Sequence, residues 1–180
     1  MKKIILAVLA LFAVSTSVFA AGEFVQFGVG ETRAVGVKGN PHSTDGTVTV
    51  GKEFGPFTLD VQYGASRTNT NVDVDALAVR GRYDAQYGAV NPWVRVAVGN
   101  QFGDLPSKTF ATIEPGISYK VSGNLIANAS MLNSSVGQRN EYNLGATYLF
   151  DKKNRLELKA TRINDRVDAN ALSLEYTRKF

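Results

Sequence analysis

Apolar and polar residues alternate along this chain with a period of two, and turn-favouring residues interrupt the alternation at regular intervals. Side chains leave a strand on opposite faces in turn, so each run predicts a strand with one apolar and one polar face. The clearest run sets Phe57, Leu59, Val61, Tyr63 and Ala65 against Thr58, Asp60, Gln62, Gly64 and Ser66. Ten such segments are predicted. They are Glu23 to Arg33, Thr47 to Phe54, Phe57 to Ser66, a fourth around Leu77, Val79 and Tyr83, and a fifth around Val94, Val96 and Val98. Ala111 to Lys120, Leu125 to Asn133, Glu141 to Phe150, Arg155 to Thr161 and Ala171 to Phe180 complete the set. Gly55-Pro56, Ser122-Gly123-Asn124 and Asp151 to Asn154 read as tight turns. Lys38 to Gly46, Arg67 to Asn71, Gly103 to Ser107, Gly137 to Asn140 and Asn164 to Ala169 read as loops. Pro115 removes one ladder donor from the sixth segment and predicts a bulge or local break there. Ile126 and Leu132 fall on the otherwise polar face of the seventh, so eight strands with longer hairpins is the alternative count.

The N-terminus does not join this pattern. Met1-Lys2-Lys3 is basic, Ile4 to Val14 is unbroken apolar, and Val18-Phe19-Ala20 precedes Ala21 as a cleavage site would require. Residues 1–20 therefore read as a secretory signal peptide and 21–180 as one exported domain. The chain has no cysteine, which excludes a disulfide framework and a lipid-modified N-terminal cysteine. Without Lys2 and Lys3, 18 basic residues face 16 acidic ones, so the basic balance gives little support to nucleic-acid binding. Apart from the leader, no apolar run has the length of a membrane helix.

Strands of about ten residues suit a tilted crossing of a bilayer, and only helices and closed barrels satisfy their backbones in lipid. A soluble barrel would show the same alternation with its apolar face inward. The aromatics separate the two readings. With strand direction alternating, Phe27, Phe54, Phe57, Tyr83, Tyr119, Tyr148, Phe150, Tyr176 and Phe180 all fall on the apolar face, toward the end that carries the termini and the short turns. Rings with an apolar body and a wet edge gather at membrane interfaces, whereas a soluble core has no reason to sort them to one end. The expected fold is all-β: a closed antiparallel up-and-down transmembrane barrel of ten strands. The polar face then lines the lumen. Its cations are Arg80, Arg82, Arg95, Lys120, Arg155, Lys159 and Lys179, and its anions Glu53, Asp60, Glu114, Glu141, Glu157 and Glu175. Asp60 is expected beside Arg80 or Arg82, and Glu157 or Lys159 beside Glu175 or Lys179.

The last strand, with Leu172, Leu174, Tyr176 and Phe180 on one face, resembles the assembly signal of bacterial outer-membrane β-barrels; Arg178 departs from that pattern. Taken with the leader, the alternation and the one-sided girdle, the whole exported chain resembles a small Gram-negative outer-membrane β-barrel of the small-porin kind. The resemblance implies integral outer-membrane localisation, contact with lipid and lipopolysaccharide, and insertion by the barrel assembly machinery through that strand. Basic residues in or beside the outer loops, namely Arg33, Lys38, Arg67, Lys108, Arg139, Arg162 and Arg166, could meet lipopolysaccharide phosphates, although acidic neighbours dilute that charge.

Two functions of different class follow: a structural or surface barrel with a charge-paired interior, or a narrow channel for ions or small solutes. Enzymatic readings are remote. Some small outer-membrane barrels modify lipid A with His and Ser, and His42 lies beside Ser43 with Asp45 near, yet all three fall in one expected loop. Asp73 and Asp75 look like half of an omptin protease site, but the Asp-x-His half is missing. No cofactor or metal pattern is present, and phosphate-loop, dinucleotide and zinc-ligand spacings are absent.

Overall fold

A computed structural model describes residues 22–39, 41–135, 139–165 and 167–180. The expected leader and Arg166 lie outside the described residues. Ten strands follow in chain order: β1 (Glu23–Ala34), β2 (His42–Phe54), β3 (Phe57–Thr68), β4 (Asp73–Asp84) and β5 (Val90–Gly103), then β6 (Lys108–Lys120), β7 (Leu125–Ser134), β8 (Asn140–Leu149), β9 (Asn154–Asn164) and β10 (Ala169–Lys179). Each pairs antiparallel with its sequence neighbours, and β1 pairs with β10, so the sheet closes into an up-and-down barrel without an edge. The count is ten, not eight.

Closure brings the two chain ends together. Phe24 stands opposite Lys179, and the Phe180 amide donates to the Glu23 carbonyl at 2.9 Å. The same end carries the Gly55-Pro56 turn and the other even-to-odd connections. At the opposite end the longest link is 35–41, so neither rim bears long loops.

The barrel is inside out relative to a soluble protein. Its most buried side chains are Thr49 and Thr177, each 1% exposed, whereas Leu144 is 68% and Val29 63% exposed. Threonines at the centre and bare leucine and valine outside match a lipid-facing belt around a polar lumen.

One expectation needs correction. The stretch from Lys38 to Gly46 is not all loop, because β2 begins at His42. Here Asp45 stands opposite Gly30 of β1 and Ser66 of β3. Pairing on both sides recruits a turn-prone sequence into strand, since ladder hydrogen bonds outweigh local propensity. At Pro115 the expected interruption takes the form of a local break, without a bulge. The β6–β7 ladder lapses between Ile113↔Asn133 and Gly116↔Ser130 and resumes in the same register, while β5–β6 runs unbroken through Val94↔Pro115. Only the ladder that needed the missing N–H is interrupted.

Candidate functional site in the barrel interior

Residues directly opposite across a ladder share a face, so the registers build the interior layer by layer. Nearest the termini, Lys179 Nζ reaches Glu53 at 2.8 Å, and Arg82 Nη2 holds Asp84 at 2.5 Å. Above them the single tryptophan lies across the lumen. Trp93 Nε1 donates to Ser118 Oγ at 3.1 Å, and the Arg82 and Arg95 guanidiniums sit 4.1 and 5.5 Å from its ring centroid. Cations over an indole face are attracted by the ring's quadrupole, more strongly where water is scarce. Gly116 makes the ring's seat: a Cβ there would come within 2.2 Å of Trp93 Cζ2. Phe24 fills the same end against Gly51.

At mid-height the charges are paired and cross-linked. Arg80 Nε contacts Asp60 Oδ1 at 2.5 Å, and its Nη2 donates to Thr49 Oγ1 at 3.4 Å. Arg95 Nη1 lies 3.2 Å from Glu114 Oε2, while Ser130 Oγ (2.7 Å) and Asn143 Nδ2 (3.3 Å) donate to Glu114 Oε1. Thr161 Oγ1 in turn donates to Asn143 Oδ1 at 2.7 Å. Lys159 Nζ lies 3.0 Å from Glu175 Oε1, and the Gln26 amide donates to the other oxygen of Glu175. Glu114 has three donors and Glu175 two, while among the described residues Asp60 rests on Arg80 alone. Several donors on one carboxylate are what an ion pair removed from bulk water needs if its attraction is to offset desolvation.

Toward the far end, Asp45 accepts from Thr32 Oγ1 (2.8 Å) and Ser43 Oγ (3.1 Å), and Arg139 pairs with Glu141 at 2.6 Å. Phe110 turns inward against Gly99. A cavity of about 560 Å³ occupies this far half, and a smaller one of about 220 Å³ the half nearer the termini. Both are bounded by Gln26, Arg95, Glu114, Asn143, Lys159 and Glu175, so the cross-linked layer lies between them.

The thirteen charged residues expected in the lumen all occupy inward register positions, with Lys120 exposed at the rim. Asp60 takes Arg80 and leaves Arg82 to Asp84; Lys159 takes Glu175, and Lys179 takes Glu53. Sequence reasoning missed Asp45 and Asp84, placed in a loop and beyond a segment end, and it missed the ring of Trp93 as a lumen filler. The signal was available, since Asp84 continues the parity of Arg80 and Arg82.

The two catalytic candidates are dismantled by parity. Ser43 and Asp45 face inward while His42 lies on the opposite face, its backbone N–H donating to Asn69 Oδ1 at 3.2 Å. Asp73 and Asp75 stand opposite Arg67 and Ala65 on the outer face, and Arg67 holds both, at 3.2 and 3.0 Å. An outward pair clamped by its neighbour is not half of a site facing the lumen.

Outside, the aromatics gather at the end of the termini. Phe27 lies opposite Tyr176, whose hydroxyl donates to Asn154 Oδ1 at 2.6 Å. Phe54 lies opposite Phe57, and Phe57 packs on Tyr83 with centroids 5.0 Å apart. Tyr148 and Phe150 meet edge-on at 5.2 Å. Tyr119 ends β6 at the same level, and Phe180 follows β10, with Arg178 over its ring.

A closed barrel with a lipid-facing exterior, an aromatic girdle and a charged polar interior is a transmembrane β-barrel of the outer-membrane type. Solved structures share the fold. An outer membrane channel from Pseudomonas putida F1 aligns with a TM-score of 0.60 at 10% identity, over 93% of this chain and 98% of that one. The β-domain of the Bordetella autotransporter BrkA aligns with a TM-score of 0.50 at 12% identity, over 90% and 100%. Neisserial surface protein A aligns at 0.47 and 16% identity, over 89% and 98%. At these identities the likeness to the channel and to the autotransporter domain is one of fold. No protein-family model matches the chain, and no curated protein matches it.

Proposed function

We propose that this protein is an integral outer-membrane barrel with a mainly structural or surface role, whose lumen is filled at mid-height by paired charge. The observation that carries the reading is the pairing of Arg95–Glu114 and Lys159–Glu175 where the two cavities meet, with Arg80–Asp60 beside the larger one. Trp93 narrows the half nearer the termini further. Such a lattice braces ten strands from within and leaves ions little free path. The outer-face arginines Arg33, Arg67 and Arg162 would meet lipopolysaccharide, although each already has a carboxylate partner in Glu31, Asp73 with Asp75, or Asp168. The last strand, ending on Phe180, would be the segment that the barrel assembly machinery engages. No catalytic role is assigned.

A narrow channel is the second reading. It is favoured by the six residues that bound both cavities, because rotation of a few side chains there would join them. Single-channel recording in a planar bilayer separates the two. Folded, inserted protein is expected to remain silent. Reproducible steps whose ion selectivity shifts when Arg80, Arg82 or Arg95 is neutralised would overturn the filled-lumen reading in favour of the channel.

A further inference from the structure

The lower cavity, nearer the termini, has one cation and one anion outside its closed pairs. Four cations and four anions line it, and three of the pairs are closed: Arg82 with Asp84, Arg95 with Glu114, and Lys159 with Glu175. Arg155 and Glu157 remain. Arg155 faces inward from β9 and makes neither an ion pair nor a hydrogen bond with any described residue, so its five N–H donors are unspent. Glu157 and Glu53 are the carboxylates that act on it most strongly, yet neither comes within ion-pairing distance. Arg82 and Arg95 act on it as like charges. Glu157 sits beside Gly145 instead, 3.1 Å from where a Cβ on that glycine would stand. Arg95 also has an unused donor, its Nε, which is buried without a partner.

Three guanidiniums facing one 220 Å³ space, one wholly unpaired and one with a spare N–H, are arranged to receive an acceptor with several oxygens. Guanidinium forks match carboxylate and phosphate geometry, and Arg155, half-buried in the cavity wall, has its donors free for such a group. The volume admits an anion of only a few heavy atoms. Asn128 Nδ2 is already committed to Thr147, and Ser118 Oγ to Trp93, which leaves the arginines as the principal donors. We infer that the lower cavity binds a small oxyanion or carboxylate, with Arg155 as its primary ligand and Arg82 and Arg95 beside it. Binding needs no path through the barrel, so this site stands or falls independently of the conductance result.

Trp93 is the only tryptophan, and it lies against Arg82 and Arg95, so its fluorescence reports on the cavity directly. The probe is inorganic phosphate, titrated at neutral pH into the refolded barrel in nonionic detergent, with ionic strength held constant by sodium chloride. A saturable change in Trp93 emission is expected. Arg155→Gln should weaken the midpoint at least ~10-fold, as loss of a charge-assisted pair does. Glu157→Gln should tighten it by removing the unpaired carboxylate that also lines the cavity. Arg162→Gln, on the outer face, should leave it unchanged. If Arg155→Gln does not reach the folded, heat-modifiable form, Arg155→Lys takes its place and should weaken binding several-fold by losing the fork while keeping the charge. The absence of a saturable response, or an unchanged midpoint in the folded Arg155 variant, would overturn the site.

Discussion

Glu114 is the residue on which the interior turns. It is nearly buried, and it accepts from Arg95, Ser130 and Asn143, which reach it from β5, β7 and β8. Glu114→Ala would strand the Arg95 charge beside Arg82 and Arg155, and removing one partner of a buried pair costs about 3–5 kcal/mol. Urea unfolding followed by Trp93 emission should show that loss, and Glu114→Gln, which keeps an acceptor for Ser130, should lose less. At this scale the sequence was partly legible. Parity along each strand assigns a face to Arg80 or Glu175 without any knowledge of neighbours. It cannot say that Lys179 binds Glu53, 126 positions away, because that depends on β1 lying between β10 and β2.

At the scale of the element, each strand is a lipid-facing row and a lumen-facing row whose exchange would be costly. Leu144 sits at the centre of β8, opposite Ala129 and Ala160, and faces outward. Leu144→Arg should destabilise the inserted barrel by about 2–4 kcal/mol, the cost of a cation on the lipid face at the bilayer midplane, measured by reversible unfolding in lipid vesicles. The turns obey different chemistry. Asp151 holds the β8–β9 turn by accepting from the Asn154 side chain at 2.7 Å and from the backbone N–H groups of Lys153 (2.6 Å) and Asn154 (2.7 Å). These donors, the Asn154 amide foremost, hold its carboxyl below the usual carboxylate range. A lowered folded value means that the turn's stabilisation is complete above that usual range and is lost as pH falls through the lowered value. Amide protection of Lys153 and Asn154, corrected for intrinsic exchange, should therefore drop in acid, and in Asp151→Ala it should be low at every pH.

For the whole molecule, closure is the decisive property. Each strand has two hydrogen-bonded neighbours, so no part can peel away without opening the ring. Unboiled protein in SDS should migrate differently from boiled protein on a gel. Identical migration, with recovery in the soluble periplasmic fraction, would contradict a membrane barrel.

The alternation alone assigned two faces to each strand and left the count at ten or eight, because strand geometry has a period of two whatever surrounds it. Tertiary structure decided what depends on neighbours. It began β2 at His42, where flanking ladders override turn-prone residues, and it kept the register through Pro115, where only one ladder lost a donor. It also selected the partner of each charge and laid Trp93 across the lumen on a glycine. The same registers left Arg155 unpaired, since an ion pair requires two side chains to meet in space and no periodicity along one chain records that distance.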